Sequence, residues 1–169
     1  MFFLVYFILF LIPVYIICLV GYSLLKGAPY APLGNERIKV MIKLLDLKKK
    51  QTIADIGSGD GRIVIAFAKN GIEAHGFEIN PVLVLLSRYY IQKQHLQNKA
   101  FIHWKNIWYA DLSRFDGLTL YGITHMMLPL EKKLQQEAKP GAKIVSNHFQ
   151  FPSWKPVRVQ SDVRLYIKK

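Results

Sequence analysis

The sequence predicts an α/β fold: a largely parallel β-sheet with helices on both faces, closed by an antiparallel hairpin and preceded by one apolar N-terminal helix. Three observations predict it. Short apolar runs alternate with longer amphipathic ones between residues 52 and 147, the tail breaks into two alternating runs around Ser161-Asp162, and the first 25 residues carry no charged side chain.

Those first residues, MFFLVYFILFLIPVYIICLVGYSLL, are mostly Phe, Leu, Ile, Val and Tyr. About 20 apolar residues at ~1.5 Å each reach across a ~30 Å hydrocarbon core, and Pro13 in mid-span is a tolerable kink. A cleaved signal peptide would want a basic start, a shorter apolar run and a small-residue cleavage site, none of which is clear. Residues 1–25 are therefore expected to be a retained transmembrane anchor, with a buried core helix as the weaker alternative. Lys26, Arg37, Lys39, Lys43 and Lys48 to Lys50 follow the span and no basic residue precedes it. The positive-inside rule then puts the rest of the chain on the cytoplasmic side.

All 23 basic and 11 acidic residues lie beyond the span, giving that part the full +12. Anionic lipid headgroups are the obvious partner of a tethered basic domain. The charges are scattered and no nucleic-acid motif appears, so no nucleic-acid partner is expected. The single cysteine, Cys18, excludes a disulfide framework.

Residues 26–35 form a linker whose GAPYAPLGN has no periodicity, and 36–169 form the main domain. Ile38, Met41, Ile42 and Leu45 recur at helical spacing. Strands are expected at 52–56, 74–78, 100–103, 117–121 and 142–147, and helices at 61–70, 81–95 and 127–138. KPVRVQ and VRLYIKK add a β-hairpin, giving seven strands in all. Between Asn147 and Pro156 there is little room for a further helix.

The stretch IADIGSGDGRIVIAF, residues 53–67, carries the chemistry. A dinucleotide fingerprint G-x-G-x-x-G would start at Gly57 and Gly59, but residue 62 is Arg. The third glycine is Gly61, giving D-x-G-x-G-x-G from Asp55. Glu78, 23 residues beyond Asp55, ends the next expected strand and can accept ribose hydroxyls. S-adenosylmethionine lacks a pyrophosphate and has a zwitterionic amino-acid end. Backbone N–H groups from Gly57 to Gly61, Ser58 included, suit its carboxylate, and Asp55 suits its ammonium. A purely structural turn is the competing explanation.

Together, GAPYAP (27–32), DIGSGDGRIVI (55–65), GFEINPVLVLLSR (76–88) and FPSWKP (151–156) resemble the class I, seven-stranded, S-adenosylmethionine-dependent methyltransferases. More narrowly, they resemble the membrane-anchored lysine methyltransferases that act on the ATP synthase c-subunit and the adenine nucleotide translocase. The resemblance implies a trimmed Rossmann-like methyltransferase sheet and S-adenosyl-L-methionine as cofactor. It further implies that Asp55, Gly57, Gly59 and Gly61 line the methionine end and that Glu78 binds the ribose. By the same resemblance Asn106 meets the adenine amino group, Ile107 packs on the ring, and Tyr30 and Pro32 close over the cofactor. In a eukaryotic host it would place the chain at a mitochondrial membrane. The chain departs from the family at YGITHMMLP (121–129), which borders the substrate channel, so the acceptor stays open.

Methyl transfer from a sulfonium is an in-line displacement that needs positioning and exclusion of water. A lysine acceptor must first lose its proton from a free pKa near ~10.4. Tyr121, at the end of the fourth expected strand, and His148, just beyond the fifth, are the candidate catalytic residues, with His125 and Trp154 behind them. His75 and His103 fall on expected strands with no metal-ligand spacing and are expected to pack. Protein lysine is the first expectation for the acceptor. A lipid, quinone or other small membrane-borne acceptor, a non-catalytic cofactor-binding module and, distantly, a dehydrogenase remain as alternatives.

Overall fold

A computed structural model describes residues 5–7, 9–15, 17, 21 and 31–169. The order is α1 (Asn35–Leu45), β1 (Thr52–Ile56), α2 (Arg62–Lys69), β2 (Glu73–Glu78), α3 (Pro81–Lys93), β3 (Ala100–Trp104), a 3-10 turn (Ile107–Tyr109), β4 (Gly117–Leu120), α4 (Thr124–Glu137), β5 (Lys143–Asn147), β6 (Arg158–Gln160) and β7 (Val163–Ile167). Among the described residues no helix is long and apolar enough to cross a membrane. Much of the span expected over residues 1–25, and Cys18 and Tyr30 with it, lies outside the described residues.

Seven strands make one sheet in the order β3-β2-β1-β4-β5-β7-β6. β1 to β5 pair in parallel, and β7 runs antiparallel to both its neighbours. The expected hairpin turns on Ser161 and Asp162, both at positive φ (49° and 66°), as a tight two-residue hairpin requires. The chain order reverses between β1 and β4, which opens a crevice at the carboxyl ends of those strands.

Strand alternation sends side chains to two cores. Ile53, Val145, Val163 and Leu165 pack with Met41, Leu44 and Leu45 of α1, Phe67 of α2 and Ile91 of α3. Ala54, Ile56, Leu118, Leu120 and Ile144 pack on the opposite face with Met127, Leu130 and Leu134 of α4. Sequence reading and structure differ mainly at helix starts. α2 begins after Gly61 because that residue is left-handed (φ 78°) and serves as the N-cap. α4 begins at Thr124, ahead of the expected 127, and continues through Pro129. His75 and His103 do pack: their rings stack 5.2 Å apart and share a 2.9 Å hydrogen bond.

At Gly76 in β2, an added Cβ would lie 2.6 Å from the Cβ and Oγ of Ser58 and 2.7 Å from Cδ1 of Ile102. Gly76→Ala should therefore lower stability by about 1–3 kcal/mol through overpacking, read from the midpoint of a urea unfolding curve.

Candidate functional site

β1 runs straight into the glycine turn. Gly57, Gly59 and Gly61 all have positive φ (73°, 55° and 78°), a conformation that side chains with a Cβ disfavour. This explains the glycine at every second position. The turn folds back on β2: the N–H groups of Gly57 and Ser58 both donate to the carbonyl of Phe77, at 2.9 and 3.1 Å. Gly59 N–H donates to Oε2 of Glu78 at 2.9 Å, and Gly61 N–H to the Ser58 carbonyl. These bonds compete with the expected role of the amides towards a ligand carboxylate. Four of the N–H groups between Gly57 and Gly61 are engaged within the protein: three anchor the turn to β2, and that of Gly61 closes the turn on the Ser58 carbonyl.

Glu78 is buried, and its other oxygen, Oε1, accepts from the N–H groups of Ile79 and Asn80 at 2.8 Å each. A carboxylate offers about four acceptor sites, so three protein donors leave roughly one for a ligand hydroxyl. Asn80 then caps α3, its Oδ1 accepting from Val82 N–H, with Pro81 at the first helical position.

Asp55 pairs in register with Gly76 on one side and Thr119 on the other. Its Oδ1 accepts from the Thr119 hydroxyl at 2.7 Å, while its Oδ2 is buried with no hydrogen-bond partner among the described residues. Burial pushes its carboxyl up to about 7; the Thr119 bond opposes the shift, and the charges of Glu78 and Asp60 add to it. Ser58 Oγ is likewise buried and unpaired. Unsatisfied buried polar atoms are costly, and two of them on residues lining one cleft mark a place where a polar ligand fits.

That cleft holds about 1150 Å³ of empty space, its open mouth included, and is lined by Asp55, Ser58, Glu78, Asn106, Ile107 and Tyr121 among others. Gly57 and Gly59 line it too, whereas Gly61 lies behind, against Ser87 of α3. Asn106 Oδ1 accepts from Trp108 N–H at 3.1 Å, which holds the 3-10 turn. Ala31, Pro32 and Leu33 close one side of the cleft. Arg62 fixes them: its guanidinium pairs with Asp60 at 2.7 Å and donates to the Leu33 carbonyl at 2.8 Å.

The two candidate catalytic residues separate. Tyr121 lines the cleft just past β4, with its ring 6.0 Å from that of Phe149. His148 is not among the lining residues; its Nδ1 pairs with Asp162 of the hairpin turn. Trp154 packs against Phe151 and Tyr166, also away from the lining. His125 is exposed in the first turn of α4. Sequence reasoning missed Thr119 and Arg62. The in-register pairing of β1 and β4 could have found the first, whereas Arg62 was legible only as a departure from the dinucleotide pattern.

The residues match known proteins in the same region. The family of the ANTKMT methyltransferase domain matches residues 55–158. A human lysine N-methyltransferase named for the ATP synthase c-subunit is 37% identical over 134 residues, covering 79% of this chain. The chain spans a little over half of that protein, 57%. A protein-lysine N-methyltransferase from Saccharolobus islandicus is 31% identical over 139 residues, 81% of this chain and 86% of that one. Among solved structures, an RNA methyltransferase from Salinibacter ruber in complex with S-adenosyl-L-homocysteine superposes with a TM-score of 0.77 at 28% identity. That similarity covers 82% of this chain and 92% of the other.

The Asp55 environment makes a pH prediction. Its folded pKa of about 7 lies above its ordinary 3.8, so the folded state holds a proton that the unfolded chain has released. The stability this contributes is complete below about pH 4 and is lost as the pH rises through 7. Asp55→Asn should remove that slope. Relative to wild type, the variant should gain roughly 1–4 kcal/mol between pH 5 and pH 8, measured by denaturant unfolding without ligand.

Proposed function

The chain belongs to the family of the ANTKMT methyltransferase domain, and we propose that it transfers methyl groups from S-adenosylmethionine to a lysine of a protein at a membrane. The observation that carries this reading is the cleft itself. It combines an unpaired buried carboxylate oxygen on Asp55, the Glu78 carboxylate and Asn106 on one side with the uncharged Tyr121, Gly122 and Met126 on the other.

The residues fit the cofactor. Asp55 Oδ2 offers the buried acceptor that an ammonium needs, and binding a cation there favours the ionised carboxylate. Ser58 would line the carboxylate end through the turn backbone, its hydroxyl being packed against Gly76. Glu78 would accept from the ribose, and Ile107 beside Asn106 would give the adenine ring an apolar surface. When bound, the cofactor supplies an electrophilic methyl group on sulfur. The chain's own residues hold the two reactants in line and keep water out. Arg62 and Leu33 hold the segment that closes over the donor end.

On the acceptor side, Trp108, Tyr121, Met126 and Leu130 line the cleft without a charge. An apolar passage disfavours a protonated amine and so lowers the cost of delivering a neutral lysine. The Tyr121 hydroxyl orients that amine, and His148, tied to Asp162, is left as an outer proton acceptor. In this reading residues 1–25 anchor the chain, 26–35 close over the cofactor with Tyr30, and 36–169 form the catalytic domain. The anchor is supported by residues 9–15, which are helical and expose Leu9, Phe10, Ile12 and Tyr15. The active domain then sits on the cytoplasmic side, or at a mitochondrial membrane in a eukaryotic host.

The test is incorporation of radiolabelled methyl groups into membranes from the host. Label should appear in a protein band at lysine; label in the lipid extract or in RNA would replace the acceptor named here. Glu78→Ala and Gly59→Arg should each abolish incorporation, by at least about 100-fold on the scale of lost positioning, and wild-type rates in both would remove the site assignment. Tyr121→Phe should lower the rate about 10-fold or more while calorimetry finds donor affinity unchanged.

A further inference from the structure

Lys133 of α4 is a buried cation outside the cleft lining. Its side chain is only 9% exposed, whereas the neighbouring Lys132 is exposed. Taking an ammonium out of water is costly unless its N–H groups find oxygens. An ammonium has three N–H donors, and three oxygens surround this one. The Ala110 carbonyl lies at 2.9 Å, the Trp108 carbonyl at 3.4 Å and Oε1 of Glu137 at 2.5 Å. Glu137 in turn accepts from the Leu112 N–H through its other oxygen, Oε2, at 3.4 Å.

An ion pair between residues four apart on a helix usually does no more than steady that helix. Here the partners say otherwise. Both carbonyls belong to the segment after β3 that brings Asn106, Ile107 and Trp108 to the cleft. The regular part of that segment is a single three-residue 3-10 turn, whose hydrogen-bond geometry is poor. Its amides are directed inward: Trp108 N–H to Asn106 Oδ1, Tyr109 N–H to the Asn106 carbonyl and Ala110 N–H to the Ile107 carbonyl. The carbonyls of Trp108 and Ala110 are left at its far end, and a cation suits the negative end of a helical turn. Lys133 takes those carbonyls and Glu137 takes an amide, so the pair grips residues 108–112 through both kinds of backbone group.

The same stripe of α4 continues to the other side of the cleft. Met126, Leu130, Lys133 and Glu137 are separated by four, three and four residues and so share one helix face. Met126 and Leu130 line the cleft together with Trp108, and Leu130 shares a core with Ile107 and Ala110. The turn is thus tied to α4 at two levels, an apolar one at Leu130 and a charged one at Lys133.

We infer that Lys133, with Glu137, is a positioning residue that sets recognition of the donor's purine base. It acts through the turn and touches neither reactant. The inference rests on the placement of adenine beside Asn106 and Ile107 proposed above. The 6-amino edge of a purine is read by hydrogen bonds, which weaken steeply with misalignment. A turn left to its own short bonds therefore loses base selectivity first, while Asp55 and Glu78 still hold the rest of the cofactor.

Calorimetry on the full chain in detergent compares S-adenosylhomocysteine with S-inosylhomocysteine, which carries an oxo group in place of the 6-amino group. Wild type is expected to bind the adenosyl compound at least about 10-fold more tightly. Lys133→Met should weaken that binding about 10-fold and bring the preference below about threefold, with the inosyl affinity little changed. Lys133→Met/Glu137→Gln removes the carboxylate left without its cation, and it carries the same expectation should the single variant fail to fold. Leu134→Val, in the core on the same helix, loosens the packing without touching the two carbonyls and should keep the wild-type preference. A wild-type preference retained in both Lys133 variants would overturn the inference, as would an equal loss in Leu134→Val. Wild type that binds the two compounds equally would instead remove the adenine placement itself, and the inference with it.

Discussion

The site depends on the seating of the glycine turn on the end of β2. Two N–H groups converge on the Phe77 carbonyl and a third on the Glu78 carboxylate, while Ser58 occupies the space that a side chain at residue 76 would fill. These contacts span the first βα unit and the start of the second, so the acid that ends β2 and the turn that ends β1 form one rigid piece. Asp55 is left at the bottom of that piece, with Thr119 holding one oxygen and no described residue holding the other. The electrostatic character of the cleft follows from that one unpaired oxygen: a carboxyl kept close to neutral by burial until a cation arrives.

Much of this was legible in the sequence, for identifiable reasons. Short apolar runs found the five parallel strands, because a parallel sheet buried on both faces needs them. The hairpin was legible because Ser161-Asp162 interrupts two alternating runs. Asp55, the glycines and Glu78 stood out because chemistry fixes both their residue type and their spacing. Other features were hidden. The amides of the glycine turn read as an anion site, yet those of Gly57, Ser58 and Gly59 serve the turn's own attachment to β2, a long-range contact that no local pattern encodes. His148 followed a strand just as Tyr121 did. The sequence could not say that one side chain would enter the cleft while the other turned towards Asp162, because that depends on the left-handed backbone at residue 148 (φ 64°) and on where the hairpin folds.

Arg62 joins the two halves of the picture. As a sequence feature it only argued against a pyrophosphate. In the fold it reaches across Asp60 to the Leu33 carbonyl and so ties the segment leading from the N-terminal part to the donor end of the cleft. Residues 31–33 and the glycine turn therefore meet at one edge of the sheet, beside the donor end of the cleft.

The most direct measurement counts protons. Calorimetric titration of S-adenosylhomocysteine at about pH 6.5, repeated in buffers of different ionisation enthalpy, gives the number of protons exchanged on binding. With Asp55 mostly protonated when unliganded (folded pKa about 7) and ionised beside the ligand ammonium, wild type should release more than about half a proton per ligand bound, and Asp55→Asn none. Tight binding with no proton released by wild type, or with equal release by the variant, would contradict the placement of the cofactor's ammonium at Asp55.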